Sequence, residues 1–86
     1  MQNATYNILV LDDDASLRGA IVHWARRHGY GIFPTASASE ARAIVNRNQI
    51  DLALLDIRLP DEDGVSLAEF LIKADPERPV MLMTAY

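Results

Sequence analysis

Acidic residues placed where an apolar run ends are the chemically distinctive feature of this chain. Residues 52–55 are Leu-Ala-Leu-Leu, and Asp56 follows at once, ahead of the acidic, proline-containing stretch Ile57-Arg-Leu-Pro-Asp-Glu-Asp-Gly64. Residues 8–11, Ile-Leu-Val-Leu, run in the same way into Asp12-Asp-Asp14, and residues 80–83, Val-Met-Leu-Met, run into Thr84. Carboxylates crowded into one crevice repel by a few kcal/mol per pair at an effective dielectric of about 20, so such a set calls for a compensating cation. With oxygen donors and no Cys or His beside them, the ion expected is hard, Mg²⁺ above others, keeping several waters and leaving room for a phosphate oxygen. An exposed carboxylate beside Mg²⁺, with a Thr hydroxyl able to donate to an oxyanion, describes a phosphoryl acceptor site.

The three apolar runs must bring these residues together. Each is too short for a helix and too continuously apolar for a half-exposed strand, which predicts strands buried on both faces of a parallel sheet. In such sheets the ligand crevice lies outside the carboxyl ends of the strands, where Asp12, Asp13, Asp56 and Thr84 all fall. A further strand is expected over residues 31–35, at an edge because Pro34 has no N–H to give to a ladder. Between the strands lie three helical patterns. The first carries Leu17, Ala20, Ile21, Trp24 and Ala25 on one face, with Asp14 or Ser16 as N-cap and Gly29 as terminator. The second spans residues 38–47 behind the capping box Ser37-Ala-Ser-Glu40, with Ala41, Ile44 and Val45 inward. The third carries Val65, Ala68, Leu71 and Ile72 and stops before Pro76. The order is βαβαβαβ, an open, doubly wound α/β sheet with right-handed crossovers.

Composition bounds the rest. Eighty-six residues make one small domain, and half of them are hydrophobic. Twelve acidic residues outnumber eight basic ones, for a net charge of −4, and the basic residues are scattered, which argues against direct binding of nucleic acid or of an anionic membrane. No Cys is present, so disulfides and thiolate metal sites are excluded. No apolar stretch approaches a membrane span and no basic leader precedes the first apolar run, which predicts a cytoplasmic protein. His23 and His28 are five apart, a poor spacing for two ligands on one helical face, and read as exposed helix residues.

Three motifs in order, Ile8-Leu-Val-Leu-Asp-Asp-Asp14, Leu54-Leu-Asp-Ile-Arg-Leu-Pro60 with Asp63-Gly64, and Val80-Met-Leu-Met-Thr-Ala85, resemble the receiver domain of two-component response regulators along the whole chain. The resemblance implies a flavodoxin-like receiver fold with strand order 2-1-3-4-5. It implies Asp56 as the phosphoacceptor, Asp12 and Asp13 as the acidic pair, and Thr84 as a contact to the phosphoryl group. Asp12, Asp13, Asp56 and the backbone carbonyl of Arg58 would serve the Mg²⁺ site. It also implies a sensor histidine kinase as phosphoryl donor and, from the wording around Met83 to Tyr86, an output in transcription. In receivers the positions of Arg58 and Tyr86 flank the path of the attacking water, so two large side chains there predict slow loss of the phosphoryl group.

Receivers continue through another helix, strand and helix, roughly 30 to 35 residues at ordinary element lengths. Those elements carry the family's phosphate-contacting lysine and its aromatic switch residue. Lys73, the single lysine of this chain, lies in the third helix, far from the strand ends. Residues 1–86 are therefore expected to be an N-terminal receiver domain truncated after its fourth strand, with that strand exposed as an edge open to homodimer formation. Two other readings come from different classes: a non-signalling interaction module that uses the same edge, and a haloacid-dehalogenase-like phosphohydrolase, since Asp12, Asp14 and Ser16 also fit D-x-D-x-[ST].

Overall fold

A computed structural model describes residues 5–59 and 62–83. Four strands, β1 (Asn7–Leu11), β2 (Gly31–Thr35), β3 (Leu52–Asp56) and β4 (Val80–Met83), alternate with the helices α1 (Ala15–Arg27), α2 (Ala38–Arg47) and α3 (Gly64–Ala74). All strand pairs are parallel, in the order β2-β1-β3-β4. Among the described residues β2 is an edge, as its Pro34 requires; that residue stands opposite Val10 on β1.

The order dictates where the helices lie. The step from β1 to β2 runs one way across the sheet, while the steps from β2 to β3 and from β3 to β4 run the other way. With right-handed crossovers, α1 must cover one face and α2 and α3 the opposite face. The main core follows this division: Leu9, Leu11, Ala53 and Leu55 of the sheet pack with Ala38 and Ala41 of α2 and Leu67, Ala68 and Leu71 of α3. Removing any one of the fully buried leucines here would cost about 2–5 kcal/mol, the lost transfer energy plus the cavity left behind.

The helix ends are capped much as the sequence predicts. Asp14 accepts from the N–H groups of Ser16 and Leu17, and Gly29 follows the end of α1 with φ +79°, a left-handed conformation that glycine adopts without strain. In the predicted capping box Ser37 Oγ accepts from Glu40 N at 3.2 Å. The reciprocal bond differs from expectation: the Glu40 carboxylate accepts from the hydroxyl of buried Thr35, and it is Thr35 Oγ1 that accepts from Ser37 N. A residue at the end of β2 has replaced half of a local motif.

Three predicted burial patterns need correction. Of the apolar face of α1 only Ala25 is buried; Leu17 and Trp24 are exposed, Trp24 stacking on His28 and Tyr30 with ring centroids 4.7 and 5.5 Å away. In α3 the inward stripe is Gly64, Leu67, Ala68 and Leu71, and Val65 and Ile72 face out. Strands β3 and β4 are not covered on both sides by the described residues: Leu52 and Leu54 are half-buried, and Met81 and Leu82 are exposed. No helix of the described residues is long and apolar enough to cross a membrane.

Candidate functional site

The chain leaves β1 toward β2 on one side, and β3 lies on the other, so the carboxyl ends of β1 and β3 bound the point where the winding reverses. Loops diverge there and leave a crevice. Asp12 directly follows β1, and Asp56 is the last residue of β3. Asp12 is 2% exposed and Asp56 7%, whereas Asp13 is exposed. One carboxylate oxygen from each of the three lies within 4.8 Å of the others. The sequence-predicted trio is thus brought together, with two members inside the crevice and one at its rim.

Local hydrogen bonds fix the two buried carboxylates. Asp12 Oδ1 accepts from Asp14 N at 2.8 Å, and the Asp12 amide donates to Thr35 O at 3.1 Å. Asp56 Oδ1 accepts from Arg58 N at 3.0 Å. The loop after Asp56 folds back on itself through a bridge between Arg58 and Asp63, and Gly64 N donates to Ile57 O at 3.0 Å. Gly64 lies so close beneath this loop that a Cβ there would stand 2.4 Å from the Asp56 carbonyl oxygen. Thr84 and Tyr86 lie outside the described residues.

Burial pushes the Asp12 carboxyl above its ordinary 3.8; the bond from Asp14 N opposes the shift, and the charges of Asp56, Asp13 and Asp14 add to it. The folded chain therefore holds a proton on Asp12 more tightly than the unfolded chain does. This group costs stability at neutral pH, and the cost is relieved as pH falls through the folded value toward the ordinary one. Asp12→Asn keeps the acceptor for Asp14 N and removes the charge, so without divalent metal it should stabilise the fold at neutral pH. Thermal melts should show that gain shrinking as pH falls through the raised folded value and vanishing below the ordinary 3.8.

The donor set suits a hard divalent cation: carboxylate oxygens within reach of one another, uncompensated negative charge, and no nitrogen or sulfur ligand among them. His28 makes no part of it, with Nδ1 2.9 Å from Trp24 O at the far end of α1. Asp14 is occupied as a helix cap, which leaves the phosphohydrolase motif without its second acid. Lys73 sits in the last turn of α3, a helix that starts beside Asp56 and runs away from it.

Sequence reasoning missed three contributors. Arg18 reaches from α1 to the Asp12 carbonyl, Nη1 to O 2.6 Å; its place one turn into the helix that follows the acidic run was the available signal. Thr35 anchors the β2 end as described. Arg42 pairs with Glu62 across twenty residues, and no local pattern announces that contact.

The family model for the response regulator receiver domain matches residues 8–86. The DNA-binding transcriptional regulator NtrC of Proteus hauseri is 36% identical over 80 residues, 93% of this chain and 17% of NtrC. The C4-dicarboxylate transport transcriptional regulatory protein DctD of Rhizobium meliloti is 31% identical over 84 residues, 98% of this chain and 18% of DctD. This chain thus spans less than a fifth of either relative. Among solved structures, a CheY-like receiver domain protein from Methanospirillum hungatei superposes with a TM-score of 0.91 at 31% identity, over 96% of this chain and 66% of that one. The response regulator TrrA from Thermotoga maritima, solved in complex with Mg²⁺ and BeF, gives 0.87 at 29% identity over 95% of this chain and 71% of its own. Four parallel strands in the order β2-β1-β3-β4, carboxylates gathered where β1 and β3 end, and a family match reaching from β1 past β4 lead to one assignment: the chain belongs to the response regulator receiver domain family.

Proposed function

We propose that this chain is the phosphoacceptor of a two-component phosphorelay. The observation that carries the reading is the convergence of Asp12, Asp13 and Asp56 within 4.8 Å at the crevice between β1 and β3. An Asp56 carboxylate oxygen attacks the phosphorus of a phosphohistidine on a sensor histidine kinase. The P–N bond breaks as the P–O bond forms, and the imidazole leaves with its electron pair. Asp13, Asp56 and the Arg58 carbonyl would hold Mg²⁺, with Asp12 beside them, and the ion would supply charge neutralisation for the phosphoryl oxygens. The chain's own contribution is placement: the bond from Arg58 N fixes the Asp56 carboxylate, and the anchored β1–α1 loop fixes Asp12. Thr84, at the end of the β4 run, would donate to the phosphoryl group, and the bulk of Arg58 and Tyr86 would slow its hydrolysis.

The relatives are transcriptional regulators several times longer, which supports reading residues 1–86 as the N-terminal receiver of a cytoplasmic regulator that acts on transcription through an output domain. The test is incubation with Mg²⁺ and a small phosphodonor, followed by peptide mapping. One added phosphoryl group should map to the peptide holding Asp56. A label on any other residue, or none with a kinase as donor, overturns the proposal.

A second reading is favoured by the surface of β4, where Met81 is 56% and Leu82 43% exposed and where pairing among the described residues is with β3 alone. Unpaired strand groups beside exposed apolar side chains favour edge-to-edge pairing. The 86-residue polypeptide should therefore sediment as a dimer, or show weak amide protection in β4, at concentrations where a version extended to the length of the matched receivers is monomeric. A monomer at high concentration with β4 fully protected would refute this.

A further inference from the structure

Arg42 leaves the middle of α2 and ends between two groups from other parts of the chain. Its guanidinium pairs with the Glu62 carboxylate in the β3–α3 loop and lies over the Phe70 ring of α3, with Cζ 4.3 Å from the ring centroid. Only a planar cation can stack on a ring and hold a carboxylate in this way. Both side chains of the pair are partly exposed, 33% and 24%, and an isolated pair of that kind contributes little to stability. Its place in the chain is what matters. Glu62 stands next to Asp63, which caps α3 and bridges to Arg58. The loop's other described ties, Gly64 N to Ile57 O, Ile57 N to Met83 O and Arg58 N to Asp56, all run within β3, β4 and α3. Among the described residues, Arg42 makes the one ion pair, and with it the helix on the far side of the loop takes hold of the segment that carries the Arg58 carbonyl.

We infer that Arg42 is a positioning residue for the metal site: by clamping Glu62 against α2 and Phe70, it steadies the segment tied to Arg58 through the Arg58–Asp63 bridge, and so the backbone of Arg58 beside Asp56. The inference rests on the reading of those groups as the Mg²⁺ site. It makes a prediction opposite in sign to simple electrostatics. Removing a cation beside an acidic crevice should by Coulomb attraction alone tighten Mg²⁺ binding. Loss of a positioning contact should weaken it, by about tenfold for a group that orients a ligand from outside the coordination sphere.

Mg²⁺ titration of the full-length protein by calorimetry, with amide shifts of Ile57, Arg58 and Gly64 followed by NMR, separates the two. Arg42→Ala is expected to bind Mg²⁺ about tenfold more weakly and to broaden or shift those amides before metal is added. Arg42→Lys, which keeps the charge and loses the flat stack on Phe70, should fall between wild type and Arg42→Ala. Arg42→Ala should also add little to the loss caused by Glu62→Gln, since the two act as one contact. Equal or tighter binding in Arg42→Ala, with Mg²⁺ bound normally by wild type, would overturn the inference alone. A wild-type protein that binds no Mg²⁺ would overturn the metal-site reading and this inference with it.

Discussion

Phosphoryl label from a histidine kinase or a small phosphodonor should fall to background in Asp56→Asn, while the variant keeps its fold. Asn preserves the size of the side chain and an oxygen able to accept from Arg58 N, so the loop contact at 3.0 Å survives. What is lost is the anionic nucleophile, since an amide oxygen forms no stable phosphoryl adduct under the same conditions. Asp56 is 7% exposed and shares its crevice with two other carboxylates, so removing its charge should leave stability unchanged or raise it slightly. The diagnostic result is therefore a folded variant without label. Label that persists in Asp56→Asn would transfer the chemistry to another side chain, with Asp13 at the rim the first to examine.

Gly64→Ala should be among the most damaging single-methyl changes available to this fold. Its added carbon would lie 2.4 Å from the Asp56 carbonyl oxygen and 2.8 and 2.9 Å from backbone atoms of Ile57. All three are main-chain atoms, which no rotamer change can move aside. Either the first turn of α3 or the end of β3 must shift, at a cost of about 3 kcal/mol, with displacement of Asp56 itself. Gly19 in α1 supplies the control, since a Cβ there meets nothing within 4 Å. Gly19→Ala should be neutral or stabilise by up to about 1 kcal/mol through helix propensity alone. Chemical denaturation of the two variants, with phospholabelling of each, would check both halves; equal stabilities would remove the close-approach argument.

Legibility in the sequence differed sharply between the sheet and its helices. The positions of β1, β3 and β4, their parallel pairing and the meeting of Asp12, Asp13 and Asp56 could be read because those strands are short apolar runs and the acidic residues sit at two of the runs' ends. The strand order came from the resemblance to receivers, and β2 from the edge position that Pro34 imposes. Helix rotation could not be read in α3, where Val65, Leu67, Ala68, Phe70, Leu71 and Ile72 are all apolar and two overlapping stripes satisfy the same period. Packing against the sheet selected Leu67 over Val65. In α1 the stripe from Leu17 to Trp24 was legible, but its burial was not, because burial depends on what lies opposite. Contacts between distant side chains left no local trace either. Glu40 was assigned to its own helix cap until Thr35 claimed it, and Arg42 with Glu62 forms no pattern within either segment. The role of Thr84 rests on its resemblance to receivers, since it falls outside the described residues.

The aromatic stack at the foot of α1 decides what the chain's intrinsic emission can be used for. Trp24 is the single tryptophan and is half exposed between His28 and Tyr30, with Tyr6 against the far side of Tyr30. Helix α1 begins beside Asp12 and runs back against the strand direction, which carries the indole to the end of the sheet opposite Asp56. Its spectrum therefore records the docking of the last turn of α1 on the segments that enter β1 and β2, and not occupancy of the acidic crevice. A fluorophore remote from the chemistry serves as an internal reference, one against which unfolding can be followed while ligands at the other end of the sheet come and go.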